Sequence, residues 1–289
     1  MKPTLFTSKD RILEFGKGAA MNDQYGIQVM LTGDREKLQA LVPPILKVPA
    51  FTKDGEREQG VVYIYIVNIR QPTFGPWYME GGVGIMVDYQ GVTGLHFLGL
   101  QLSGPGALMG MCTGREGSGL PKKLADRIHV ERLGDHGHCY IERGGVRLVD
   151  VECDIGQYNT PLMHTLAGAQ EGATQEKPID TEGGCLLFRS AGGVMPQGME
   201  LIKYDSPTLF RQWDPMTAKV TFGSTVNDPW GEIPVDGVIG GGWMVSDNRV
   251  RSTDVLYRFP ADECLDAMQY LYAGKFDQCL TEKEHQSSE

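Results

Sequence analysis

The sequence predicts a mainly β protein of the α+β class, with a few short helices and one domain spanning residues 1–289. Alternating or β-branched apolar runs recur along most of the chain, few segments carry helix start and stop signals, and glycine-rich turn signals separate the runs. No internal repeat or linker-like stretch divides it.

Strands are expected over residues 25–31, 61–69, 83–89, 95–102 and 127–133, and over 139–151 with a break at Gly144-Gly145. Further strands are expected over 185–189, 199–204 and 218–222 and within 235–257, with Gly134-Asp135-His136-Gly137 as the turn of a hairpin. A short helix begins near Asp34, places Leu38, Leu41 and Val42 on one face, and stops where Pro43-Pro44 removes the donors. Small and apolar residues over 105–113 predict a buried helix. The last helix has Pro260 in its first turn, Asp262 and Glu263 at the positive end of the dipole, apolar Leu265, Met268, Leu271 and Tyr272, and Gly274 as its stop. The polar stretch 172–184 reads as a mobile loop and 282–289 as a flexible tail.

Charge narrows the function classes. Lys and Arg total 27 against 37 Asp and Glu, a net charge of -10, which repels a phosphate backbone, so no nucleic-acid partner is expected. No apolar run reaches signal-peptide or membrane-spanning length, so no membrane association and a cytoplasmic location are expected. The six cysteines, Cys112, Cys139, Cys153, Cys185, Cys264 and Cys279, have no paired short spacings and read as reduced, buried hydrophobes. His136, His138 and Cys139 sit in the predicted hairpin without a fourth ligand at a recognisable spacing, so no metal site is expected. Gly81-Gly82 and Gly240-Gly241-Gly242 lack the context of a phosphate loop and read as points of close backbone approach. Trp243, just after the second run, is a candidate for the wall of an apolar pocket, with core packing as the plainer reading.

The run with the most chemistry in it is 114–125, in which Gly114-Arg115-Glu116 is followed, four residues on, by the start of Leu120-Pro121-Lys122-Lys123-Leu124. A lysine attacks a carbonyl only as the neutral amine, so it must be desolvated or set beside another positive charge. Two unit charges about 6 Å apart at an effective dielectric of about 20 repel by about 2.8 kcal/mol, or about two pKa units. Lys123 is therefore expected to act on Lys122.

Gly-Arg-Glu, four residues, then Pro-Lys-Lys-Leu resembles the signature of the acetoacetate decarboxylase family. Weaker similarity runs through Leu41-Val42-Pro43-Pro44, Tyr78-Met79-Glu80, Gly231-Glu232-Ile233-Pro234-Val235 and the final helix. The resemblance implies a closed, cone-like, antiparallel β-barrel, assembly into a homo-oligomer, and no metal or organic cofactor. It implies that Lys122 forms a Schiff base, that Lys123 lowers its pKa, that Pro121 orients the pair, and that Glu80 lies in the site as a positioning or proton-transfer group. Arg115 and Glu116 of the motif are carried over as substrate-binding candidates.

Two positions depart from the family pattern. Where the resemblance implies an arginine before the first strand and a glutamate ahead of Tyr-x-Glu, this chain has Gln24 and Tyr65. A glutamine cannot supply the charged fork that an arginine offers a carboxylate. The expected activity is therefore that of a carbon-carbon lyase on a small oxo acid, by default decarboxylating a 3-oxo acid such as acetoacetate. Aldolase-dehydratase or cyclase chemistry on a 2-oxo acid such as pyruvate is the close alternative, with Tyr65 as phenolic donor, and a non-catalytic small-molecule binder is the third.

Overall fold

Strand pairing organises this chain, and helices only fill in around it. A computed structural model describes residues 7–15, 20–191 and 197–277; Cys279 and the 282–289 tail lie outside them. Helix α1 (Lys9–Phe15) precedes β1 (Ala20–Asp34), and α2 (Arg35–Gln39) leads to β2 (Thr52–Asp54), β3 (Arg57–Pro72), β4 (Tyr78–Tyr89) and β5 (Val92–Ser103). Helix α3 (Ala107–Ser118) then precedes β6 (Lys122–Leu124), β7 (Arg127–Leu133), β8 (His136–Arg143) and β9 (Val146–Ile155). After α4 (Met163–Ala167) come β10 (Ile179–Thr181), β11 (Gly184–Ala191), β12 (Gly198–Asp205), β13 (Thr208–Phe222), β14 (Gly237–Arg249), β15 (Ser252–Phe259) and α5 (Cys264–Lys275).

All of these strands join one 15-stranded sheet whose main path runs from β15 through β12, β11, β5, β4, β3, β1, β14, β13, β9 and β8 to β7. Pairing is antiparallel except where β6 and β11 run parallel to β5. Among the described residues the path has two ends, and β7 and β8 fold over to pack against the β3–β5 face. This curl gives the expected cone through side-chain packing rather than hydrogen bonding between edge strands.

Alternation divides the apolar residues between two cores. Val62, Ile64 and Ile66 of β3 join Ile27, Val29, Val83, Ile85 and Trp243 on one face. Val61, Tyr63, Val67 and Ile69 join Tyr78, Phe97, Leu100 and Tyr204 on the other. The glycine runs serve the close approach expected of them: a Cβ on Gly241 would lie 2.2 Å from the Gln28 carbonyl oxygen, and one on Gly242 would lie 2.2 Å from the Trp213 ring.

Several boundaries move. Helix α3 continues five residues past 113, and Leu108 and Met109 are 60% and 53% exposed; only its Ala107 and Gly110 face is buried. Gly274 does not stop α5. It lies inside the helix, where a Cβ would meet the Leu98 carbonyl at 2.4 Å, so packing required glycine there. The stretch 172–184 contains β10, which pairs with β13, instead of forming a free loop. No helix among the described residues is long and apolar enough to cross a membrane.

Candidate active site

Lys122 reaches its position through a helix, a glycine turn and a three-residue strand. Helix α3 ends at Gly119, whose left-handed φ of 74° reverses the chain, with its N–H on Arg115 O and the Leu120 N–H on Gly114 O. A side chain at Gly119 would also collide with the Phe188 carbonyl at 2.2 Å. The Pro121 carbonyl then accepts from Leu100 N at 2.8 Å and starts the parallel β5–β6 ladder. Gly114 on α3 clears the space that the Lys122 side chain occupies, since a Cβ there would lie 2.9 Å from Cδ and Cε.

The Lys122 side chain enters a cavity of about 170 Å3 in the second core. Its Nζ donates to Glu80 Oε2 at 2.6 Å, the Tyr65 hydroxyl donates to Glu80 Oε1 at 2.5 Å, and Gly110 O lies 3.5 Å from Nζ. Lys122 and Glu80 are 3% and 4% exposed, so the pair is desolvated. Burial first, then the Glu80 carboxylate, push the Tyr65 hydroxyl well above its ordinary pKa, which keeps it a donor. Gln24 lines the same cavity and its Oε1 accepts from Ser246 at 3.3 Å. Tyr63, Tyr65 and Phe97 form an aromatic wall, with ring centroids 5.7 to 6.4 Å apart.

Four of the expected residues, Lys122, Glu80, Tyr65 and Gln24, thus meet in one cavity. The other four are placed elsewhere. Alternation along β6 sends Lys123 to the opposite face, where its Nζ lies 2.8 Å from Asn227 O, 3.3 Å from Asp228 and 3.1 Å from Asp277. Its ammonium there faces the Asp228 and Asp277 carboxylates, away from the cavity that Lys122 lines. The Arg115 guanidinium lies 3.4 Å from the Lys122 carbonyl oxygen and stacks 5.2 Å from the Phe276 ring, so it holds backbone outside the cavity. Glu116 is exposed on α3, away from the cavity lining. Trp243 is fully buried in the first core, edge-on to Tyr25 at 5.3 Å, and does not line the cavity.

The sequence reading missed Gln28, Tyr63, Phe97, Cys185 and Tyr204, all in the cavity wall. Even spacing held the signal for two of them, because Gln28 is four residues from Gln24 on β1 and Tyr63 two from Tyr65 on β3. Burial and then Glu80 push the Cys185 thiol up to about 12, so it is a neutral wall group. His136 and His138 pair with Asp154 and Asp150, and among the described residues no group of three or more His, Cys, Asp or Glu is placed to hold a metal.

The family model for acetoacetate decarboxylase matches residues 3–259. The chain belongs to the acetoacetate decarboxylase family. It is 28% identical over 285 residues to a CLA biosynthesis isomerase of Lactiplantibacillus plantarum, covering 95% of each chain. The crystal structure of the Legionella pneumophila acetoacetate decarboxylase superposes with a TM-score of 0.66 at 15% identity, over 84% of this chain and 88% of that one. The enduracididine biosynthesis enzyme MppR, complexed with the condensation product of pyruvate and imidazole 4-carboxaldehyde, gives a TM-score of 0.56 at 12% identity, over 83% and 88%. These structures share the acetoacetate decarboxylase fold with this chain.

Proposed function

We propose that this chain forms an imine between Lys122 and the carbonyl of an oxo acid or ketone, and that Glu80 moves a proton on the carbon skeleton beside that imine. The observation that carries the reading is the Glu80 carboxylate held between Lys122 Nζ and the Tyr65 hydroxyl inside a buried cavity. Attack requires the neutral amine, and Glu80 is within reach to accept the proton that Nζ gives up. Nζ then bonds to the carbonyl carbon and the carbonyl oxygen leaves as water. The iminium draws electrons from the neighbouring C–H bond, Glu80 takes that proton, and the enamine is held beside the aromatic wall. Returning the proton one double bond further along isomerises an unsaturated substrate, and hydrolysis releases Lys122. The isomerase relative supports this outcome.

Decarboxylation of a 3-oxo acid is the second reading, supported by family membership. There the electron pair of the carboxylate C–C bond flows into the iminium, carbon dioxide departs, and Glu80 protonates the enamine. Among the described residues lining the cavity, Lys122 is the only lysine or arginine, and it is already paired with Glu80. A substrate carboxylate would enter without a cationic partner, at considerable desolvation cost. The deciding experiment is borohydride trapping with acetoacetate, pyruvate and a β,γ-unsaturated ketone, on the protein and on Lys122→Ala. In parallel, carbon dioxide release and deuterium uptake from heavy water are followed. An adduct on Lys122 with deuterium uptake and no carbon dioxide supports isomerisation; stoichiometric carbon dioxide from acetoacetate supports the second reading; no adduct with any carbonyl overturns both.

A further inference from the structure

At about 170 Å3 the cavity is close in size to one of about 150 Å3 that admits benzene, so it takes a small ketone. A notch of about 350 Å3 adjoins it, and the two spaces share Leu95, Gly183, Gly184 and Cys185 as wall. Strands β5 and β11 pair in this shared wall through Cys185 and Leu95. Gly183 and Gly184 in the shared wall carry no side chains. Gly94 and Gly184 face one another there, and a Cβ on Gly94 would lie 3.2 Å from Gly184 O. Met86, Leu95 and Leu186 line the notch, and Lys203 and Asp205 stand in its wall. Asp205 is bound to Arg251 at 2.5 Å. The inner space thus holds the Lys122 amine, and the adjoining one has both apolar and charged walls.

We infer that the substrate is an oxo compound bearing an apolar chain, with its carbonyl at Lys122 and its chain laid past Gly183 into the notch. This rests on the imine reading for the carbonyl end. Met86 and Thr93, which line the notch and not the inner cavity, are specificity-determining residues in this arrangement. Pyruvate, acetoacetate and acetone would fill only the inner cavity.

The test is borohydride trapping of two neutral ketones, acetone and 2-octanone. Each buried methylene favours the longer ketone, so half-maximal trapping of 2-octanone is expected at a concentration at least about 10-fold below that of acetone. Thr93→Trp, which fills the notch, and Met86→Glu, which places a charge in it, should each bring that ratio close to one while acetone is still trapped. A ratio near one in the unmodified protein, or a ratio unchanged in both variants, overturns the inference. If neither ketone is trapped, the imine reading falls, and the chain site is then judged on 2-octanol, which forms no imine. Binding of 2-octanol by calorimetry that Thr93→Trp weakens at least 10-fold supports the chain site. Binding that the variant leaves unchanged, or no binding, overturns it.

Discussion

Glu80 and Lys123 are both carboxylate–lysine stories with opposite consequences. Glu80 shares a buried cavity with Lys122 and with the Tyr65 hydroxyl, so removing its charge removes the proposed proton carrier without emptying the space. Glu80→Gln should lower deuterium exchange into a bound ketone by about 10²-fold or more, read by NMR in heavy water. Exchange at the unmodified rate would remove Glu80 from the mechanism. Lys123 instead completes the shell of Asp228, which is 3% exposed and also accepts from Gln101 Nε2 at 2.9 Å and from Arg143. Lys123→Met should cost about 1–3 kcal/mol in a urea titration, because a buried carboxylate loses a donor, while Lys122 still traps a ketone. Lost trapping in a folded Lys123→Met protein would restore its expected role beside the nucleophile.

Helix α3 and strand β6 act as one device. The helix lays Gly110 and Gly114, one turn apart, over the lysine that the strand presents. Gly114→Ala would bring a methyl group within 2.9 Å of Lys122 Cδ and Cε, which are flexible and can yield where backbone could not. The variant should therefore fold with a melting temperature close to that of the parent. Its rate of ketone trapping should fall by on the order of 10²-fold, as expected for a reacting atom displaced by about 1 Å. Equal trapping rates would show that α3 leaves the lysine free to move.

On the scale of the whole molecule, α5 closes the structure over the back of the site. Gly274 lies against Leu98 and Pro121, and Lys275 Nζ donates to Phe188 O at 3.0 Å on β11. Burial, then the nearby Arg115 charge, lower Lys275 from 10.5 to about 8. Below about pH 8 the ammonium is protonated in folded and unfolded chains alike, and its burial destabilises the fold. Between about 8 and 10.5 the unfolded chain holds the proton more tightly, so stability rises with pH across that window. Urea midpoints measured from pH 7 to 10 should show this rise, and Lys275→Met should flatten it. A parallel rise in the variant would assign the effect to other groups.

The sequence by itself determined the strands, the family motif and the lysine, because period-two patterning and the Pro121-Lys122-Lys123 spacing are local properties. Even the shared face of Gln24 with Gln28, and of Tyr63 with Tyr65, was present in their spacing. Tertiary structure decided which groups meet. Glu80 and Lys122 are 42 residues apart and face each other only because β6 pairs parallel to β5, while β5 pairs antiparallel to β4. The charge of Lys123 is met by Asp228 and Asp277, more than a hundred residues further along. Trp243 could be read as cavity wall until the pairing of β14 with β1 and β13 set it in the first core and its neighbour Met244 in the second. Residue type and spacing set what each strand can present, and the long-range pairing of strands sets what it is presented to.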